Sequence, residues 1–156
     1  MIEFVKVTSK DVAIIDALVR NLRMDDEREI FASGNFCVYN RVMFSVLTSR
    51  CYAAMVNEQV LCVFGVCTQV FENNYRVVWL LGTDVVDGNK KEFCVKSKAI
   101  VDGWVKEYGR LANFVWVKNK KSIRWLKFLG AKFDAPIKAE TGEEFVFFTI
   151  GGDDNV

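Results

Sequence analysis

The stretch that decides the fold runs from Trp116 to Phe133 and reads WVKNKKSIRWLKFLGAKF. It completes the nearly continuous apolar segment 111–117, LANFVWV, which is typical of a strand buried on both faces. Asn119 stands where a helix N-cap is expected, and Gly130 suits the left-handed position that closes a helix. The helical spacing turns Ile123, Leu126 and Leu129 inward and leaves Lys120, Lys121, Arg124 and Lys127 outward. We therefore predict a buried strand that opens directly into a basic amphipathic helix.

The segments before this stretch alternate between strand and helix patterns. Residues 2–8 alternate apolar and polar side chains, as a half-buried strand does, and Thr8 with Asp11 is placed to cap the first of three helical segments. Three β-rich segments separated by polar turns then predict an antiparallel meander, and residues 91–109 have apolar side chains at helical spacing. With a last strand at 144–150, the order is β, α, α, α, β, β, β, α, β, α, β, β. This order favours a mixed sheet with helices on its faces, α/β or α+β.

Length and composition indicate a single folded domain. The chain has 156 residues, 51% of them hydrophobic, and one proline, which excludes a disordered protein. We expect one domain over residues 1–150 and a flexible C-terminal tail at 151–156. Apolar runs fall short of the roughly 18 residues that a membrane span needs, and the N-terminal residues lack a signal-peptide pattern, so we expect a cytosolic protein without a membrane span.

Cysteine and histidine usage limits the chemistry. The five cysteines form no CxxC pair, which suggests neither a disulfide framework nor a zinc site, and we expect no bound metal. Histidine is absent, which removes the usual general base and every Ser-His or Cys-His nucleophile arrangement. Any catalysis would have to use carboxylates, Tyr, Cys, Lys or backbone amides.

Charge is concentrated in the C-terminal half. Between Lys90 and Lys132 there are 12 basic and 3 acidic residues, although the net charge of the chain is only +1. Such a block can bind phosphate, CoA or nucleic acid, dock an acidic partner, or form a solvated face balanced by the acidic remainder. The aromatic residues within it lie at core spacing instead of forming a stacking platform, which argues against nucleic acid.

The strand, Asn119, the helix and Leu129-Gly130 together resemble the last conserved block of the GNAT superfamily of acyl-CoA-dependent N-acetyltransferases. Ser122 falls at the usual small residue of that block, and YRVVWLLGT, residues 75–83, resembles the central fourth strand. The resemblance implies a mixed, mostly antiparallel central sheet with about four helices on its faces. It covers almost the whole chain.

A more specific resemblance lies within that group. Residues 108–133, YGRLANFVWVKNKKSIRWLKFLGAKF, with the strand FVFFTI after them, are similar to the small GNAT-like proteins of short-tailed bacteriophages. The segment DEREIFASG, residues 26–34, is similar to the same group. That group is associated with the assembly of internal virion proteins, which implies virion proteins as partners and the host cytoplasm or the virion as location.

The superfamily resemblance also implies an acetyl-CoA site. The acyl-CoA would pair with the fourth strand, and its pyrophosphate would bind backbone amides of a Gly-rich loop at a helix N-terminus. The corresponding segment 84–93, DVVDGNKKEF, has one glycine, so lysines would have to replace amide contacts. The candidate cofactor-binding residues are Leu81, Gly82, Thr83, Lys90, Lys91 and Asn119.

The catalytic residues are harder to find by resemblance. Many members of the superfamily have a tyrosine seven residues after the Asn, where its hydroxyl can protonate the departing thiolate, but here that position is Leu126. Asp84 and Glu72 are the local candidates for a general base, and each can also be read as a turn residue.

Two functions from different classes follow. The first is a phage GNAT-like protein with a degenerate acyl-CoA site that acts in virion morphogenesis, as an assembly or internal virion protein. The second is an active acyl-CoA-dependent N-acetyltransferase acting on a small amine or a host protein, so whether the chain is an enzyme stays open at this point.

Overall fold

A computed structural model describes residues 1–71 and 74–152. These residues form eight strands and five α-helices. The strands are β1 (Glu3–Val7), β2 (Ser49–Val56), β3 (Gln59–Cys67), β4 (Tyr75–Gly82), β5 (Arg110–Trp116), β6 (Lys132–Phe133), β7 (Ile137–Lys138) and β8 (Glu144–Ile150). The helices are α1 (Val12–Arg20), α2 (Met24–Ala32), α3 (Val38–Leu47), α4 (Lys90–Tyr108) and α5 (Lys120–Phe128), and a 3-10 helix spans Asp84–Asn89.

The strands form one mixed sheet in the order β1-β2-β3-β4-β5-β8-β6, with β7 also paired to β8. Strands β1 to β4 are an antiparallel meander, and β8 runs antiparallel to β5. The pair β4–β5 is parallel and is connected through α4, as a parallel crossover requires. This confirms the expected mixed, mostly antiparallel sheet.

Two cores lie on opposite faces of the sheet. On one face, Val63 of β3 packs in a cluster with Leu18 of α1 and Val42 of α3. On the other face, Phe64 packs in a cluster with Trp104 of α4 and Trp125 of α5. Successive strand residues point to opposite faces, so a central strand buried on both sides is apolar throughout, as β3 is from Val60 to Val66.

The parallel pair β4–β5 separates into a fork. Only three residue pairs are in register, from Tyr75 opposite Arg110 to Val77 opposite Ala112. At the point of separation the amide of Asn113 bridges the strands: its Nδ2 donates to the Val78 carbonyl at 3.0 Å, and its Oδ1 accepts from the Phe114 N–H at 2.7 Å. The side chain thus replaces one step of the backbone ladder, beyond which the strands diverge.

The helix signals at the decisive stretch are confirmed, but the strand before them, β5, is not buried on both faces throughout, because Phe114 is 45% exposed. Asn119 is the N-cap of α5 and its side chain accepts from the Ser122 N–H, while Gly130 has a positive φ of 88°. The first helix differs from expectation, because it begins at Val12 with Asp11 as N-cap, and the Asp11 carboxylate accepts the Thr8 N–H at 2.7 Å. Thr8 therefore lies in the turn before the helix and does not cap it.

Within residues 1–71 and 74–152, no helix is both long and apolar enough to cross a bilayer. The C-terminal residues 153–156, most of the tail expected at 151–156, lie outside the described residues.

Gly65 in β3 provides a test of how tightly the central sheet is packed. A Cβ at this position would lie 2.7 Å from the Cys51 Cβ and 3.0 Å from the Arg50 carbonyl oxygen, so Gly65→Ala should lower the free energy of unfolding by about 1–3 kcal/mol. Gly103, in the exposed part of α4, has open space around the same position, so Gly103→Ala should raise it by about 0.5–1 kcal/mol. Urea unfolding of both variants measures the difference, and equal effects would contradict the packing of β2 against β3.

Candidate functional site

Two neighbouring cavities lie at the fork between β4 and β5, one within it and one beside it. The fork cavity, of about 150 Å³, lies between the diverging strands, and its walls include Glu29, Arg41, Asn113, Phe114 and Leu126. The basic cavity, of about 120 Å³, lies between α4 and α5, and its walls include Lys90, Phe93, Lys121 and Arg124. Leu80 and Trp125 line both, so the two cavities share a wall.

A buried ion pair lies at the boundary between the cavities. Arg23 Nε donates to Asp26 Oδ2 at 2.7 Å, and Arg23 Nη2 donates to Ser122 Oγ at 3.0 Å. Arg23 lines the basic cavity and Ser122 lines the fork cavity, so their hydrogen bond crosses the boundary. We call residues 23–26, including the Arg23 and Asp26 side chains, the clasp.

The clasp occupies the end of the β4 backbone edge. The Gly82 N–H donates to Asp26 Oδ2 at 2.7 Å, and the Gly82 carbonyl accepts from the Arg23 N–H at 2.9 Å. A side chain at Gly82 would also meet the guanidinium, because a Cβ there would lie 3.3 Å from Arg23 Nε. Both backbone groups that Gly82 turns away from β3 are therefore bonded within the protein.

Asn119 connects the clasp to α5. Its Nδ2 donates to Asp26 Oδ1 and to Glu29 Oε1, each at 2.9 Å, and its Oδ1 accepts from the Ser122 N–H at 3.4 Å. The residue is 1% exposed, so both amide protons need acceptors inside the protein. One amide side chain thereby caps a helix and holds two carboxylates of α2.

Glu29 is the titratable group of the fork cavity. Burial raises the pKa of Glu29 to about 7, and the neighbouring Asp26 carboxylate adds to the rise. Hydrogen bonds from the Asn119 amide and the Trp116 N–H act in the opposite direction. Such a carboxyl can exchange a proton near neutral pH, the property required of a general base.

The β5 edge is also bonded along much of the fork. The Trp116 N–H donates to Glu29 Oε1 at 3.2 Å, and the Trp116 carbonyl accepts from the Asn119 N–H at 2.9 Å. On β4, Val78 and Gly82 turn backbone groups towards the fork, so by the two-residue period Leu80 does so as well. In the described part of the chain, Leu80 is the β4 position whose backbone edge stays open to the cavities.

The three sequence candidates at the C-terminal end of β4, Leu81, Gly82 and the following Thr83, have different environments. Leu81 lines the fork cavity, packs against the core beside α1 and α3, and pairs through its backbone with Val63 of β3. Gly82 is bonded to the clasp. Thr83 turns its N–H to the Leu61 carbonyl at 2.8 Å, and its hydroxyl bonds to the Val60 carbonyl at 2.8 Å, so it faces β3 and not the fork.

The remaining candidates are dispersed. Lys90 lines the basic cavity. Lys91 is exposed at the start of α4 and does not line that cavity. Asn119 is buried beside the clasp. Asp84 is exposed and lines a separate concavity with residues of α1 and the β2–β3 turn. Glu72 lies outside the described residues.

Sequence reasoning missed the clasp and Glu29. It placed the second of three helical segments here and did not assign the Asp26 and Glu29 carboxylates a site. A usable signal was present, because Asp26 and Glu29 are three residues apart and therefore share one helix face beside the apolar Ile30. A metal site was not expected, and among residues 1–71 and 74–152 no three acidic or Cys side chains are grouped to hold a metal ion.

The raised pKa of Glu29 predicts a specific pH dependence of stability. The folded state binds this proton more tightly than the unfolded state, so the contribution of Glu29 is fully present below about pH 4.5 and is lost as the pH rises through about 7. Glu29→Gln keeps an oxygen that can accept from Asn119 and Trp116. Between pH 5.5 and 8, we expect the free energy of unfolding to fall by about 1–3 kcal/mol more in the wild type than in this variant.

Chemical unfolding at several pH values measures this difference, and Glu27→Gln, an exposed change on the same helix, is the control. A wild-type profile parallel to that of Glu29→Gln would contradict the assignment.

Comparison with solved structures shows the fold. An N-acetyltransferase from Staphylococcus aureus Mu50 matches with a TM-score of 0.69 and 13% identity over 97% of each chain. The ribosomal-protein-S18-alanine N-acetyltransferase from Escherichia coli matches with a TM-score of 0.69 and 9% identity, over 100% of this chain and 99% of that one. The ribosomal-protein-S5-alanine acetyltransferase from Vibrio fischeri matches with a TM-score of 0.71 and 13% identity, over 98% and 94%. The chain therefore has the GNAT fold.

Comparison with protein families gives a narrower result. A search of curated proteins found no match. The family model described as "Bacteriophage T7, probable scaffold protein Gp13" matches residues 51–136, which run from β2 through β6 and make up more than half of the chain. The chain belongs to this phage scaffold protein family.

Proposed function

We propose that this protein acts in phage virion morphogenesis as an assembly or internal virion protein, and that its GNAT fold serves for binding virion proteins and not for acyl transfer. The observation that carries the proposal is the occupied Gly82 edge: Asp26 and Arg23 hold the N–H and the carbonyl that an extended ligand on β4 would use. A ligand would have to break a buried ion pair to reach them, and such a break costs about 3–5 kcal/mol.

The segment before α4 also suits a pyrophosphate poorly. Its backbone forms a 3-10 helix whose first turn carries Asp84 and Asp87, and two carboxylates there oppose an anion. Lys121 of the basic cavity donates to Asp87 at 2.9 Å, so its charge is already paired. The residues of this chain therefore do not fit an acyl-CoA well, and the acyl-CoA site is degenerate under this proposal.

The position of the family's proton donor gives further support. Leu126 is buried at 4% exposure in the wall of the fork cavity and has no proton to give. Tyr108 does not replace it, because this tyrosine lies at the C-terminal end of α4, where its hydroxyl accepts from Arg50 Nη1 at 3.0 Å.

A basic surface is available for partners. Lys120, Arg124 and Lys127 of α5 are exposed. Lys90 adds a further positive charge at the basic cavity. This surface favours acidic segments of virion proteins as partners. Under this proposal the protein binds them in the host cytoplasm and is retained in the virion.

One observation favours the alternative, an acyl-CoA-dependent N-acetyltransferase. Glu29 faces the fork cavity with a pKa of about 7, as a general base that deprotonates an amine would need. The assembly proposal explains the same residue differently, as an acceptor that fixes Asn119 and Trp116.

Acetyl-CoA titration tests the proposal directly. Calorimetry should detect no saturable binding up to about 1 mM acetyl-CoA, and the thermal midpoint should stay constant, because a ligand of the native state must stabilise it. An active acetyltransferase of the same fold, measured in parallel, is the positive control. Micromolar binding with a rise in the midpoint would overturn the degenerate site.

Complementation separates the two functions in the cell. Phage carrying a nonsense codon in this gene would be grown in a host that supplies the wild type, Glu29→Gln, or a triple Lys120→Glu, Arg124→Glu, Lys127→Glu variant. The assembly proposal predicts full recovery of infectious particles with Glu29→Gln and at least a tenfold loss with the triple variant. The opposite pattern would support the acetyltransferase.

A further inference from the structure

Helix α3 has an apolar outer face. At 100° per residue, its outward arc contains Tyr39, Asn40, Met43, Phe44 and Leu47. Met43 is half-buried against the core, so we call the other four residues the α3 face. Phe44 is 59% and Leu47 64% exposed, and Tyr39 is 43% exposed. The inner arc, with Val42 and Val46, is buried in the core against α1 and the sheet.

This arrangement is unusual for a surface helix. Surface helices normally carry charged residues on the outer side, and a helix that is apolar all round is normally buried. The one charged residue of α3 is Arg41, which lines the fork cavity and does not belong to the outer arc. The α3 face therefore has no charge to keep it in water.

Two phenylalanines extend the face at its N-terminal end. Phe36 precedes the Cys37 N-cap and is 82% exposed, and it stacks on Phe31 of α2 with ring centroids 6.4 Å apart. Taking about 200 Å² for a whole side chain of this size, the exposed parts of Phe31, Phe36, Tyr39, Phe44 and Leu47 amount to roughly 500–600 Å². A monomer's largest apolar patch reaches about that size, and it is often functional.

We propose that the α3 face binds the same face of a second copy of this chain, giving an antiparallel α3–α3 dimer about a two-fold axis. A standard interface takes about 800 Å² from each partner, so this patch would supply its apolar centre with a polar rim around it. A closed two-fold pair is the commonest homo-oligomer, and it requires a surface that matches itself.

The chemistry of the face meets that requirement. Because the face has no carboxylate or cation, two copies would meet without like-charge repulsion. A partner with charged groups at this face would bury those charges without a counter-charge. Asn40 offers both a donor and an acceptor, so two Asn40 amides can pair across a two-fold axis. In an antiparallel pair centred near Asn40, Phe44 of one protomer lies near the exposed Phe36 of the other.

This inference is independent of the proposed partners and of the acyl-CoA site. Sedimentation velocity from about 1 to 100 μM should show a reversible conversion from 17.8 kDa monomer to dimer. Leu47→Lys should shift the apparent dissociation constant upward by at least tenfold. Val95→Lys, at a 62% exposed position of α4 on the other face of the sheet, should leave it unchanged.

Cross-linking tests the geometry. In a Cys37→Ser background, Asn40→Cys should give a covalent dimer on mild oxidation, while Val95→Cys should not. Matching thermal midpoints of the lysine variants and wild type would show that they fold. A monomer at every concentration, open-ended association, or a dimer that Leu47→Lys does not weaken would each overturn the proposal, even if another protein bound this face.

Discussion

The Asp26 carboxylate holds together three parts of the structure that are distant in sequence. It accepts from Arg23 and from the Gly82 N–H through one oxygen and from Asn119 through the other. At 1% exposure, an ionised carboxylate is tolerated only when charge and hydrogen bonds replace its water. Helix α2, the end of β4 and the start of α5 therefore have their relative positions set by one side chain.

This constraint explains why the fork can be open in geometry and yet internally satisfied. The strands separate after Val77 and Ala112, but Asn113, Glu29 and the clasp bond to backbone groups that the separation leaves free. A fork bonded in this way needs no ligand to be stable. Fold similarity to acetyltransferases at 9–13% identity is consequently a weak guide to activity, and the site residues carry the functional argument.

The sequence predicted what depends on local chemistry. The N-cap at Asn119, the left-handed Gly130 and the order of elements follow from periodicity and capping, which act within a few residues. The clasp was out of reach, because Asp26 and Asn119 are 93 residues apart and their contact depends on the finished fold. The cofactor candidates at the end of β4 show the same limit. The backbone groups of neighbouring extended residues face opposite ways, so those of Gly82 face the fork while the Thr83 N–H bonds to β3.

Amide hydrogen exchange at Gly82 tests the central claim most directly. If the clasp occupies the β4 edge, the Gly82 N–H is as protected as the Thr83 N–H, which bonds to β3, while the Leu80 N–H exchanges at least tenfold faster. Asp26→Asn should reduce the protection of Gly82 and leave that of Thr83 in place. A Gly82 amide that exchanges as fast as Leu80 in the wild type would show an open edge and contradict the account.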